Sequence, residues 1–334
     1  METGQQKENH PKSFIIANPI YDTVFKKLME NERIAKFFLS TILEEQVVSV
    51  DIRPQEFTYK DNKKFDKMPE GIGYSIYRID FMATIKTEKG TYKKILIEVQ
   101  KSKDVDDLMR FRNYLAEQYK KVDKVNGVDI VLPITTIYVV GFSIVEIKSP
   151  CVKIDRNYID MISKEPIKAR SSFIENLTHD SYVIQTKKIT NERYGTKLEK
   201  LLSLFEQAHF ISKESKISKQ YSPAFVDDDI QLITSVLQEM IADPNEREEM
   251  TKEEEAMRVM AVYLEKQKKK QQHIIEEQTK VIEEKDKALG EKDKALGEKD
   301  KAIKKQAKAL EEQSKTLEEQ AKQIVELKRL LDKE

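Results

Sequence analysis

The chain has 334 residues, with 59 basic and 59 acidic side chains, so its formal net charge is zero and a polybasic nucleic-acid binder along its whole length is excluded. A single cysteine, Cys151, excludes an intramolecular disulfide and fits a reducing compartment. Hydrophobic residues make up 39% and charged residues 35%, an average that conceals two regions. Apolar runs alternate with turn signals up to Ile241, whereas Glu, Lys, Gln, Ala and Leu dominate beyond Asn245. The division expected is a folded domain over residues 13–244 and a charged helical tail over residues 245–334. No apolar run approaches the roughly 20 residues that span a bilayer, and the opening METGQQKENHPKSF has no apolar core for a signal peptide. A cytoplasmic location with no membrane partner is the expectation.

In chain order, NPIYDTVFKKLMENERIAKFFLSTIL sets Phe25, Leu28, Met29, Ile34, Phe37, Phe38 and Ile42 at helical spacing, which predicts one or two amphipathic helices. VVSVDIRPQEF reads as a strand, with Pro54 marking an edge or an exit from the sheet. TYKDNKKFDKMPEGIG is a polar loop carrying Lys60, Lys63, Lys64 and Lys67, which either meet a DNA backbone or are simply solvated. YRIDFMATIKTEKGTYKKILIEVQ then holds two strand-like runs around Glu88-Lys89-Gly90, a hairpin with glycine at the left-handed position.

That hairpin raises the chemical question of the sequence. Glu98 follows the apolar run Ile95-Leu96-Ile97, and a carboxylate there is costly to bury without a partner. With the turn centred near Lys89, Asp80 falls opposite Glu98, with Cβ atoms about 5 Å apart. Facing carboxylates repel unless a divalent cation lies between them, and two hard oxygen donors suit Mg²⁺ or Mn²⁺ rather than Zn²⁺. The bland alternative is a pair of solvated edge residues. Gln100 shares the face of Glu98 and is able to orient a water or a phosphate oxygen.

DVDDLMRFRNYLAEQYKKVD is the next predicted helix, with Leu108, Phe111, Leu115 and Tyr119 on one face. DIVLPITTIYVVGFSI is read as one long buried strand with Pro133 near its start, and Tyr182 to Gln185 as a further strand. YGTKLEKLLSLFEQAHFI and VDDDIQLITSVLQEMIAD are read as two amphipathic helices that close the domain. The whole is a mixed α/β fold, a sheet covered by helices. In the tail, Ile275, Ile282, Leu289, Leu296, Ile303, Leu310, Leu317, Ile324 and Leu331 recur every seventh residue, with EKDKALG repeated in sequence. The seam is weak, because the paired positions include Asp286, Asp293 and Asp300, and Gly290 and Gly297 interrupt it. It reads as marginal self-association coupled to dimerisation, or else as a lone helix held by Glu/Lys pairs.

Taken together, these residues resemble the PD-(D/E)xK nuclease family transposases, relatives of the recombination-promoting nucleases. The likeness lies in Asp22, Phe25 and Lys26 of NPIYDTVFKKLM, in RIDFMATI around Asp80, in ILIEVQKS around Glu98 and Gln100, in Arg110 and Tyr114 of RFRNYLAEQY, and in the ITTIYVVGFSI strand. It covers residues 18–145 well and extends loosely to residue 207. It implies a PD-(D/E)xK restriction-endonuclease-like core, a mixed central sheet flanked by helices, followed here by a long C-terminal coiled-coil helix. The activity it implies is Mg²⁺- or Mn²⁺-dependent hydrolysis of DNA phosphodiesters. Asp80, Glu98 and the Val99 backbone carbonyl would hold the metal, and Gln100 would position a water. Asp22 either completes the outer coordination shell or caps its helix. Arg110, Tyr114 and Lys26 would bind DNA or orient the site, although Arg110 could equally pair with Asp106 or Asp107.

The wider superfamily has lysine where Gln100 stands, so the alternative is a nuclease-fold nucleic-acid-binding or scaffold protein with weak or lost catalysis. Other chemistries find no pattern. His10, His179, His209 and His273 lack ligand spacing, Cys151 has no adjacent base, and YGTKLEKL is not a phosphate-binding loop.

Overall fold

Helix and strand periodicities alternate along the first two thirds of the chain, and the fold follows them. The computed structural model describes residues 13–55, 79–100, 105–190 and 194–331. It begins with β1 (Phe14–Ala17), α1 (Asp22–Glu30) and α2 (Glu32–Leu43). The two helices are distinct because Asn31 stands between them and its Oδ1 accepts from the backbone N–H groups of Arg33 and Ile34. Then come β2 (Val47–Gln55), β3 (Ile79–Thr87), β4 (Tyr92–Gln100) and α3 (Val105–Tyr119). A small hairpin, β5 (Asp123–Val125) with β6 (Val128–Ile130), precedes β7 (Ile134–Val140). The long run read as one strand is therefore split: Pro133 offers no N–H, and its carbonyl instead accepts from Lys94 N at 3.0 Å.

Beyond β7 lie β8 (Cys151–Ile154), the hairpin β9 (Tyr158–Ile159) and β10 (Pro166–Ile167), α4 (Ser172–Glu175) and β11 (Asp180–Gln185). The next helix, α5 (Lys197–Ser203), opens with a capping box in which Thr196 and Glu199 exchange bonds. It is much shorter than its sequence pattern predicts. Leu204 and Phe205 turn into the core, and the following chain pairs back on β12 (Ser218–Tyr221) through Phe210 and Lys219. Next are α6 (Asp228–Ala242), which begins at an Asp227 cap, and α7 (Pro244–Leu331). Among the described residues, no helix is long and apolar enough to cross a membrane.

The six-stranded central sheet is mixed, in the order β2-β3-β4-β7-β11-β8. β2, β3 and β4 are antiparallel, with β2 at an edge where Pro54 is tolerated. β7 is parallel to both β4 and β11, and α3 makes the crossover from β4. Gly90, at φ 78°, forms the β3–β4 turn that the sequence predicts. A separate two-stranded ladder joins β1 to β12, at opposite ends of the domain sequence.

Alternation divides the sheet into two unlike faces. One carries Phe81, Ile85, Ile95, Ile97 and Ile137, packed against α1, α2, α5 and α6 in the main apolar core. Phe25 of α1 centres it, with ring centroids 5.5 Å from Phe38 and 5.3 Å from Phe81. Each such buried side chain contributes about 1.5–3 kcal/mol of transfer free energy, which makes this face the source of most stability.

The other face, under α3, has a far smaller apolar cluster of Met82, Leu96, Tyr114 and Ile134 with Leu115 beside it. Buried polar groups fill the rest: Lys94, Glu98, Gln118, Thr136 and Ser181. Lys94 Nζ is paired with Asp123 at 2.8 Å, and Thr136 Oγ1 donates to Ser181 Oγ at 2.7 Å. The inward side of α3 consequently runs through Phe111, Tyr114 and Gln118, while Leu108 and Tyr119 of the predicted stripe are exposed. Tyr119 hydrogen-bonds His179 Nδ1 instead, at 2.8 Å.

The chain divides into two compact units, residues 1–259 and 260–334. The division falls fifteen residues later than the change in composition, because the first turns of α7 belong to the folded domain. Met250 is fully buried there, and Glu253 and Glu254 bond the start of α1. In the second unit α7 continues as a single helix.

Candidate active site

The hairpin register is the first determinant of the site. Phe81 pairs with Ile97, Met82 with Leu96 and Lys86 with Tyr92, as a turn centred on Lys89 requires. The paired register described ends at Phe81 and Ile97, and Asp80 and Glu98 are the next residues along β3 and β4. Both residues lie within their strands, β3 and β4. For Asp80, Gln100 and Arg110 the backbone alone is described, so their side-chain contacts, and those of Asp106 and Asp107, lie outside the described residues. Lys60, Lys63, Lys64 and Lys67 also lie outside them.

Glu98 is 1% exposed. Its side chain alternates with Ile97 and Val99, both in the main core, and so projects to the α3 face. There it meets two phenols. Tyr114 comes from α3, and Tyr138 stands beside Glu98 in register on β7. Burial, with the Glu98 carboxylate as the second cause, holds both phenols far above the usual tyrosine range. Both are therefore neutral hydrogen-bond donors at any physiological pH. Phe111 packs on the Tyr138 ring with centroids 4.4 Å apart, which fixes its orientation.

Tyr138 is the site residue that the sequence reading did not single out. The signal was present: in ITTIYVV it alternates with Ile137 and Val139, which puts it on the polar face together with Thr136. What the sequence could not supply was the parallel pairing of β7 with β4, which makes Tyr138 a neighbour of Glu98.

Two predicted site residues sit elsewhere. Lys26, half-exposed, and Asp22 belong to α1, which packs on the opposite face of the sheet from the Glu98 side chain. Nor does Asp22 cap its helix. The helix starts at Asp22 itself, its N-cap is Tyr21 without a side-chain bond, and the free N–H groups go to a distant residue. Glu253 Oε1 accepts from Asp22 N at 2.9 Å, and Glu253 Oε2 accepts from Thr23 N at 3.2 Å. Val99 is buried and pairs with Val139.

Among the described residues, no group of three or more His, Cys, Asp or Glu is placed to hold a metal ion. Glu98 itself offers a buried carboxylate, an oxygen donor of the kind that hard cations take. His179 is tied to Tyr119, and Cys151 lies on β8 at the far edge of the sheet, where burial raises its thiol to about 11. No protein-family model, curated protein or solved structure matches the chain.

Proposed function

We propose that the protein is a metal-dependent DNA endonuclease of the PD-(D/E)xK transposase-like class, acting as a homodimer through its C-terminal helix. The observation that carries this reading is Glu98, a wholly buried carboxylate one residue beyond the Phe81–Ile97 pair, where the same register would set Asp80 opposite it. Two carboxylates so placed repel one another, and a cation between them reverses the sign of that interaction. The surrounding order also supports it. The hairpin follows two helices and precedes a third, as the resemblance implies.

Asp80, Glu98 and the Val99 carbonyl would hold Mg²⁺ or Mn²⁺, which when bound supplies a water of lowered pKa and positive charge beside the phosphate. The chain's own contribution is shielding and orientation. Burial under α3 shields Glu98, and Tyr114 and Tyr138 remain uncharged beside it. Gln100, on the same strand face, is suited to orienting the attacking water. It carries no charge, so stabilisation of the developing phosphate charge falls to the other groups of the site.

The test is nicking of supercoiled plasmid in Mg²⁺ or Mn²⁺ by the wild type, Asp80→Asn and Glu98→Gln, with folding checked by circular dichroism. Metal-dependent nicking that falls by at least about a hundredfold in both variants is expected, since each substitution removes a charged ligand. Wild-type protein that neither nicks DNA nor binds metal by calorimetry would refute the nuclease reading.

A further inference from the structure

β8 is one edge of the six-stranded sheet, and among the described residues no strand pairs with its outer side. The ladder on its inner side decides which of its groups point outward. Gln185 N donates to the Pro150 carbonyl at 2.7 Å, so these two residues form a hydrogen-bonded pair. In the same antiparallel register Val152 and Ile154 form such pairs with Val183 and Ser181. Cys151 and Lys153 between them, and Asp155 by the same alternation, therefore aim their backbone N–H and C=O groups away from β11. Ile154, at the end of this open edge, is 56% exposed.

An open edge is a template for another strand, and an edge lysine usually bars unwanted ones. Lys153 has its complement two residues on, in Asp155, and both side chains are exposed. Among the described residues neither forms a salt bridge, and Lys153 Nζ lies 5.9 Å from the ring centroid of Tyr182. A second β8 entering antiparallel has to match outward backbone groups with outward backbone groups, which leaves few registers. A two-fold axis at Lys153 sets two lysines opposite each other, which is unfavourable. An axis at Val152 sets Lys153 opposite Cys151 and leaves its charge without a complement. An axis at Ile154 sets Lys153 of each copy opposite Asp155 of the other, in two hydrogen-bonded pairs. The two Ile154 side chains then meet in the non-hydrogen-bonded pair between them, where side chains approach closest.

We infer that β8 pairs antiparallel with β8 of a second copy of this chain, about a two-fold axis at Ile154. The lysine that guards the edge against other strands thus selects its own copy. The inference rests on the homodimer proposed above, independently of the nuclease chemistry, and adds a contact between folded domains to it. A strand of four residues is a small interface, so the pairing strengthens the association of the tail helices and does not replace it.

The experiment is sedimentation equilibrium of the full chain as wild type, Lys153→Asp, Asp155→Lys and the double exchange Lys153→Asp/Asp155→Lys, with folding checked by circular dichroism. An equimolar mixture of the two single variants is the fifth sample. Each single variant turns two attractive cross-strand pairs into two repulsive ones, and is expected to weaken dimerisation by about tenfold. The double exchange is expected to restore wild-type affinity. The mixture is expected to do the same, because each copy supplies the charges that the other lacks. Single variants that dimerise like the wild type overturn this inference and leave the tail dimer standing. So does weakened dimerisation that neither the double exchange nor the mixture recovers. A wild type that stays monomeric overturns the homodimer itself, and the inference falls with it.

Discussion

Lys219 shows what burial does to a single charge. It is enclosed where β12 meets β1, and its Nζ donates to the Glu206 carbonyl at 2.6 Å. Burial pushes its pKa down to about 7, with the Glu206 charge opposing that shift. An unfolded lysine holds its proton up to about pH 10.4. Between those two values the unfolded chain binds more protons than the folded one, so stability rises with pH across that window. The gain is lost as the pH falls through about 7. The urea midpoint of the wild type is therefore expected to rise from neutral pH toward about pH 10 relative to that of Lys219→Met. Parallel pH profiles for the two proteins would show that the folded lysine keeps its charge. At this scale the sequence is partly legible. Glu98 is conspicuous after Ile95-Leu96-Ile97, and Gly90 fixes the turn between its strand and β3. Lys219, in the polar run SKQY, gives no sign of burial, because its enclosure comes from a strand some two hundred positions earlier.

Among the elements, α1 depends on a cap from another part of the chain. Its first N–H groups are satisfied by Glu253, while Tyr21 Oη and Lys216 N both donate to Glu254 Oε1, at 2.9 Å and 2.7 Å. Burial opposes ionisation of Glu254, but the bonds from Lys216, Ser215 and Tyr21 outweigh it and hold its pKa below the usual range. A negative charge at a helix N-terminus is favourable both as hydrogen-bond acceptor and against the helix dipole. The start of α7 is thus a structural part of the domain, despite a composition that matches the tail. Truncation after Val259 is expected to leave the melting temperature of the domain unchanged, and truncation after Asp243 to lower it. Glu253→Gln alone should cost about 1 kcal/mol, the value of a typical cap. Circular dichroism melts decide the matter: equal midpoints for the two truncations would mean that the capping turns contribute nothing. The same logic explains the two misjudged elements. Periodicity extended α5 past Ser203 and fused β6 with β7, because apolar spacing alone does not reveal where the chain must turn to meet a partner.

For the molecule as a whole, the tail poses the assembly question. Along α7 the heptad side chains from Ile275 to Ile324 are 54–66% exposed, an apolar stripe open to solvent. Asp286, Asp293 and Asp300 occupy the complementary heptad positions, where like charges would meet in a parallel pair. The association proposed is accordingly weak and concentration-dependent. Sedimentation equilibrium of the full chain should show a monomer–dimer equilibrium that disappears when Leu296, Ile303 and Leu310 are all replaced by Lys. A full-length chain that remains monomeric at the highest soluble concentration would assign the stripe to an isolated helix.

The sequence by itself determined whatever depends on neighbours along the chain. The β3–β4 turn and its register follow from Gly90 and strand alternation, α1, α2 and α6 from apolar spacing, and the tail helix from its heptads, since each is governed by local backbone sterics or side-chain period. Tertiary structure alone decided what depends on partners distant in sequence. The crossover through α3 brought β7 alongside β4 and so placed Tyr138 beside Glu98. Packing of α1 against the opposite face separated Asp22 and Lys26 from the Glu98 side chain, and the fold-back of α7 supplied the cap that Asp22 does not. Such pairings are selected by the burial of whole faces, which rewards the sum of many contacts and leaves little trace in any one residue.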